Sequence, residues 1–311
     1  MNKLMRRGMT AVAAFAIACL AIGDADAGER PWYKYENGYF EVYSNASEKR
    51  VRSLLTELED FRAAVVQVLT LSIPPAAAKT QIIIFRSEKE LRNLTGNELI
   101  DAFAIGVDGV PYMVMSAGRN KGSDEVIRHE YTHVLLGYSD FKFPPWFQEG
   151  MAEFMSATEF KNGGTQFTFG NETLRRRAGS SLVPWAELMS DNFSFHTIHS
   201  PKLGSNAYFQ AWMLAHYFMW RQRYMDDARV SRYFARFTAG ATSAAALEAE
   251  FDMTPTEFGH FIESKYSKEM KYATVTFEHG VRDNEFTRGD VGIDQIESTL
   301  SEIASSYSAH W

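Results

Sequence analysis

The chain has 311 residues, 45% of them hydrophobic and 23% charged, with a formal net charge of −7. This composition excludes a disordered chain and is large enough for a substantial core, with two subdomains around one site. The acidic balance works against a nucleic-acid partner, whose phosphates need a basic face. Arg175-Arg176-Arg177, the one sharp basic run, reads as a solvated surface turn.

The first 27 residues have the layout of a signal peptide. Lys3, Arg6 and Arg7 form a basic region, Met9 to Ile22 an apolar one, and Ala25-Asp26-Ala27 a small-residue cleavage site. The mature chain is expected to begin at Gly28 and to be periplasmic or secreted. Removing three positive and two negative charges takes its net charge from −7 to −8. No stretch of the mature chain approaches the roughly 20 apolar residues of a membrane span, so no integral membrane segment is expected. Cys19, the sole cysteine, lies in the apolar region, which leaves the mature chain without a disulfide. Ala16-Ile17-Ala18-Cys19 lacks the leucine expected of a lipid-attachment site.

Residues 28–118 read as a mixed strand and helix subdomain. Tyr39 to Tyr43 alternates like a strand, and Ser47 can cap a helix whose Val51, Leu54, Leu55, Leu58, Phe61 and Val65 keep helical spacing. Gln81 to Phe85 reads as a buried strand. Ala102 to Ser116, with Gly106, Asp108 and Gly109 inside it, reads as a hairpin whose second strand contains Tyr112 to Met115.

The next subdomain, residues 119–270, opens on His129-Glu130-Tyr131-Thr132-His133. On a helix this HExxH pattern puts two imidazoles on one face, where they can chelate Zn²⁺, and leaves Glu130 beside the metal to handle a water proton. Helix ends are expected around it: Ser123 as N-cap with Asp124 and Glu125 in the first turn, and Gly137 as C′ residue. A catalytic zinc site takes three protein ligands and keeps one position for water. The second helix, beginning near Pro145, carries Glu149 and Glu153 one turn apart, and a helical hairpin can turn that face toward the histidines. Glu149 is thus the expected third ligand. Glu153 is the expected acceptor for a ligand histidine's free ring N–H. The plain alternative is an amphipathic helix with core histidines, followed by a solvated carboxylate pair.

Trp146 to Glu153 also resembles the W-x-x-E-G-x-A-E helix that follows HExxH in the gluzincin metallopeptidases. Within that group the chain is most similar to secreted bacterial peptidase-MA-like proteins, over much of residues 80–270. The fifteen residues between His133 and Glu149, and the absence of a G-x-M-E-N segment, set it apart from the large aminopeptidases. The resemblance implies an α+β fold, an N-terminal subdomain with an edge strand and a mainly helical subdomain, with a zinc cleft between them. It places the edge strand at Tyr112 to Met115, where an extended peptide substrate would add by main-chain hydrogen bonds. It also implies a catalytic tyrosine on the long helix read at Ala207 to Arg223, here Tyr208, as hydrogen-bond donor to the oxyanion. His196 and His199 are the other candidates for that role, and His216 reads as core.

The expected activity is zinc-dependent endopeptidase hydrolysis, with Glu130 as general base. The alternative is a catalytically inactive envelope protein of the same fold that binds peptides or a partner. Further along, Thr254-Pro255-Thr256-Glu257 reads as a capping box opening a helix with Phe258, Phe261 and Ile262. Residues 271–311 read as a C-terminal tail, with Ile293, Ile296, Leu300 and Ile303 spaced for an amphipathic helix.

Overall fold

The computed structural model describes residues 31–310 apart from 74–78, 98–99, 101, 108–109, 119–122, 170–181, 199, 269–272 and 277–285. The expected signal segment, the Arg175 to Arg177 run and His199 therefore lie outside the described residues.

Phe40–Ser44 (β2) and Thr80–Phe85 (β3) are rich in the β-branched and aromatic residues that suit a pleated, half-buried surface. Glu48–Leu69 (α1) joins them as a crossover, so the two strands run parallel, with Val42 opposite Ile82. Ser47 takes the N-cap position of α1, although its side chain makes no capping bond. Tyr33–Glu36 (β1) pairs antiparallel with β2. After Glu88–Thr95 (α2), the expected hairpin forms from Ala102–Val107 (β4) and Val110–Ser116 (β5), and β5 lies parallel to β3. Thr287–Asp290 (β9) completes a six-stranded sheet in the order β4-β5-β3-β2-β1-β9.

That order corrects the expected edge. β5, with Tyr112 to Met115, is held between β4 and β3, so β4 is the hairpin strand that, among the described residues, has a free side. This hairpin sits at the end of the sheet, with β4 outermost. The apolar run of Met113 to Met115 is used for the interior, and the small residues Ala102, Ala104 and Gly106 fall on the edge.

Both faces of the sheet are buried at its central strands, which explains the unbroken Ile82-Ile83-Ile84 run. On one face Phe40, Val42, Ile82, Ile84, Met113 and Met115 pack in a core with all six of the apolar α1 positions predicted from spacing. On the other face Tyr43, Ile83, Phe85, Phe103, Ile105 and Val114 are covered by Leu91 of α2 and by Ile296, Ile303 and Tyr307 of a C-terminal helix, Ile293–His310 (α10). The C-terminal segment is thus built into the sheet. β9, Thr-Arg-Gly-Asp, is exposed along its length and gives no hydrophobic period, so only its pairing with β1 makes it a strand. Arg288 adds a contact to the Tyr33 ring face at 3.7 Å and an ion pair to Glu48 at 2.6 Å.

The remaining elements are Ser123–Leu136 (α3), Pro145–Ser156 (α4), Trp185–Leu188 (α5), Pro201–Met225 (α6), Ala228–Thr238 (α7), Ser243–Phe251 (α8) and Pro255–Ser264 (α9). The capping box at Thr254 and Glu257 forms as its sequence predicts. Among these helices lies a small sheet that was not expected, although Asn162-Gly163-Gly164 is a hairpin signal; in it Gln166–Phe169 (β7) is flanked by Glu159–Lys161 (β6) and Ala273–Thr276 (β8). The chain is therefore α+β, with an N-terminal sheet and a largely helical C-terminal part. Among the described residues no helix is long and apolar enough to cross a membrane.

Candidate metal centre

The HExxH segment lies in the middle of α3, and the helix has two unlike faces. Ile127, Tyr131 and Leu135 point into the core, where Tyr131 meets Phe40 and Phe61 at ring-centroid distances of 5.7 and 6.1 Å. Burying each such side chain contributes about 1.5–3 kcal/mol, so the core sets the rotation of α3 about its axis. His129 and His133 are consequently turned toward α4, their ring centroids 5.1 Å apart. α3 begins at Ser123, but Gly137 does not use a left-handed conformation. It closes the helix by donating its N–H to the His133 carbonyl at 3.3 Å.

α4 is positioned by its other side. Pro145 starts it, and Trp146, Phe147, Met151 and Phe154 are buried among the aromatic residues of the helical part. Trp146 donates its indole N–H to the Ser243 hydroxyl at 3.1 Å, and Phe147 packs on Phe234 with centroids 4.5 Å apart. Gly150 lies directly against α6: a Cβ there would stand 2.2 Å from the Ala211 carbonyl oxygen. The glycine after Glu149 thus permits a close helix contact.

The two helices run antiparallel and bring the predicted residues together. Glu149 Oε2 lies 3.3 Å from His129 Nε2 and 3.7 Å from His133 Nε2. One donor atom from each of His129, His133 and Glu149 falls within 4.8 Å of the others, a set that can hold a metal ion. Two imidazoles and a carboxylate are borderline-to-hard donors of the kind zinc accepts. Glu153 Oε1 lies 3.3 Å from His129 Nδ1. When the ring is neutral, that contact keeps its N–H on Nδ1 and leaves Nε2, the atom facing Glu149, as the lone-pair donor.

Glu130 projects beside this set and accepts a hydrogen bond from the Ala104 N–H at 3.0 Å, so it stands against the free edge of β4. Burial raises its pKa to about 7; the His129 charge and the Ala104 N–H pull it down, while Glu149 adds to the rise. Burial disfavours a charged His129, but Glu149 and Glu153 outweigh it and hold the imidazole's pKa up at about 10. Without a cation, the three carboxylates keep this histidine protonated at neutral pH.

α6 supplies the facing wall. Its Ser200 cap accepts the Leu203 N–H at 3.4 Å, and the helix brings the Tyr208 ring to 6.2 Å from that of His129. Phe195 packs on the other side of Tyr208 at 4.8 Å. Burial, and then the carboxylates Glu149, Glu153 and Glu130, push the Tyr208 phenol upward, so it stays protonated. Of the other histidines, His196 falls in a 3-10 turn, Phe195–Thr197, and His216 is core, its Nδ1 2.8 Å from the Tyr266 hydroxyl. The Ala104 N–H and the Phe195 packing had no sequence signal, since one is a main-chain group and the other a loop contact.

No protein-family model matches the chain, and no curated protein matches it at a significant level.

Proposed function

We propose that the chain is an exported zinc metallopeptidase of the gluzincin kind, an endopeptidase that hydrolyses peptide bonds. The observation that supports this reading best is the convergence of His129, His133 and Glu149 on one point, with Glu130 beside it. His129 Nε2, His133 Nε2 and the Glu149 carboxylate would hold the ion. When bound, Zn²⁺ supplies a Lewis acid that lowers the pKa of water toward about 7 and polarises a substrate carbonyl.

The chain's own residues do the remaining work. Glu130 accepts the proton of the attacking water and delivers it to the leaving amine, so it acts as base and then as acid. Tyr208, kept neutral by its surroundings, donates its O–H to the developing oxyanion. Glu153 holds His129 in the tautomer that presents Nε2. An extended peptide would lie along the free edge of β4, where main-chain hydrogen bonds give affinity with little sequence preference.

The test is elemental analysis of the purified protein beside His133→Ala and Glu149→Ala, followed by peptidase assay of Glu130→Gln. One zinc per wild-type chain, lost in both folded ligand variants, is the expected result. Glu130→Gln should keep zinc and lose activity by about 10²–10⁴-fold. A wild type that takes up no zinc on reconstitution, or a zinc-loaded Glu130→Gln that cleaves normally, would refute the proposal.

A further inference from the structure

Two antiparallel helices carry the metal-binding groups, and the chain joins them only at one end. Residues 137–144 connect the last turn of α3 to the first turn of α4. At the opposite end, beyond His129 and Glu153, a side chain of α3 reaches the last turn of α4. There Arg128 Nε donates to the Ser156 carbonyl at 2.8 Å. Ser156 is the last residue of α4, and its carbonyl is one of the four that a helix end leaves without an intrahelical donor. A charged donor makes the stronger kind of hydrogen bond; burial lowers the pKa of this guanidinium, and Asp124, Glu125 and Glu57 counter that only in part.

The contact continues inward. The Ser156 hydroxyl donates to the Glu153 carbonyl at 2.9 Å, and Ser156 itself is buried. The Glu153 carboxylate in turn faces His129 Nδ1 at 3.3 Å, and His129 is the residue after Arg128. Arg128, Ser156, Glu153 and His129 therefore close a ring that crosses between the helices twice. A second link in α3, from the Thr132 hydroxyl to the Arg128 carbonyl at 2.8 Å, fixes the backbone from which Arg128 reaches across.

We infer that Arg128 is a positioning residue of the metal centre, acting through Ser156 and Glu153 to hold the His129 imidazole with Nε2 toward Glu149. The inference rests on the zinc reading above. Arg128 is not one of the three residues that would hold the ion. Its Nε–H holds the Ser156 carbonyl, the Ser156 hydroxyl holds the Glu153 carbonyl, and the Glu153 carboxylate orients the ring. Lysine at 128 could supply charge but not the rigid Nε–H that the carbonyl accepts. A merely structural helix-end contact would affect folding without a specific link to Glu153, and this difference is measurable.

The experiment is zinc affinity, read by competition with a chromogenic chelator, for wild type, Arg128→Met, Glu153→Gln and the double variant. Metal-free unfolding midpoints are recorded for all four. Groups that orient a metal ligand typically change affinity by about 10–100-fold, and Arg128→Met is expected to weaken zinc binding by about tenfold or more. In the Glu153→Gln background it should cause no further loss, because the path it uses is already broken. Should Arg128→Met fail to fold, Ser156→Ala replaces it in the same cycle, since it removes the hydroxyl link and keeps the carbonyl. An affinity within twofold of wild type in the folded variant would overturn the inference and leave the zinc site standing. Losses that multiply in the double variant would overturn it too, because Arg128 would then act by another route. A wild type that binds no zinc removes both the inference and the reading beneath it.

Discussion

Replacing Gly150 with alanine sets two effects of opposite sign against each other. In a helix interior alanine is more favourable than glycine by about 0.8–1.0 kcal/mol, so on propensity alone the variant should be more stable. Against this, the new Cβ would stand 2.2 Å from the Ala211 carbonyl oxygen, 2.7 Å from its carbon and 3.0 Å from the Ala215 Cβ. Carbon and carbonyl oxygen settle at about 3.3–3.6 Å even in their closest favourable contacts, so α4 and α6 must separate by about 1 Å. The obstacle is backbone and cannot rotate aside. Overpacking of this kind costs about 1–3 kcal/mol and here belongs at the upper end, which leaves a net destabilisation of about 1–2 kcal/mol. Glu149 is the adjacent residue, so the same shift should also weaken zinc binding.

The assay is urea unfolding of the metal-free protein, followed by chelator competition. Gly204→Ala is the control: it lies in α6, its nearest neighbour would be 3.9 Å away, and it should gain up to about 1 kcal/mol. A Gly150→Ala protein that gains stability as Gly204→Ala does, with zinc affinity unchanged, would show that the helices do not meet as described.

Three further outcomes are expected. Tyr208→Phe should retain zinc while losing roughly 10²–10³ in kcat, the usual effect of removing one oxyanion donor; steady-state kinetics on the zinc-loaded variant decide this, and unchanged kcat would return the role to His196 or His199. Zinc binding at pH 7 should release a proton from His129, because its metal-free pKa is held up at about 10 and the ligand form is neutral. Calorimetric titration in buffers of different ionisation enthalpy measures that proton. The same raised pKa stabilises the metal-free fold fully below about 6.5, the unfolded histidine value, and this contribution is lost as pH rises through about 10. A metal-free protein whose stability does not fall over that interval would contradict the assigned charge.

The candidate metal site was legible because its parts are local. HExxH needs only helical periodicity to put His129 and His133 on one face, and Glu149 and Glu153 follow from the same period on the next helix. Helix α1 and the Ala102 to Ser116 hairpin were readable for the same reason: their apolar spacing and turn residues are short-range signals. The contacts that orient the site are not of this kind. Nothing in the sequence links Arg128 to Ser156, or Gly150 to Ala211, because each pair meets across two helices.

The sequence by itself determined which donor atoms are available and which helix faces carry them, since both depend on residue type and a fixed 3.6-residue repeat. Tertiary structure alone decided that β4 rather than β5 is the free edge, that Glu130 stands against it, and that residues 287–310 complete the sheet and cover its second face. A strand's neighbours are chosen by long-range pairing, and β9, with no apolar residue, carries no periodic trace of that choice.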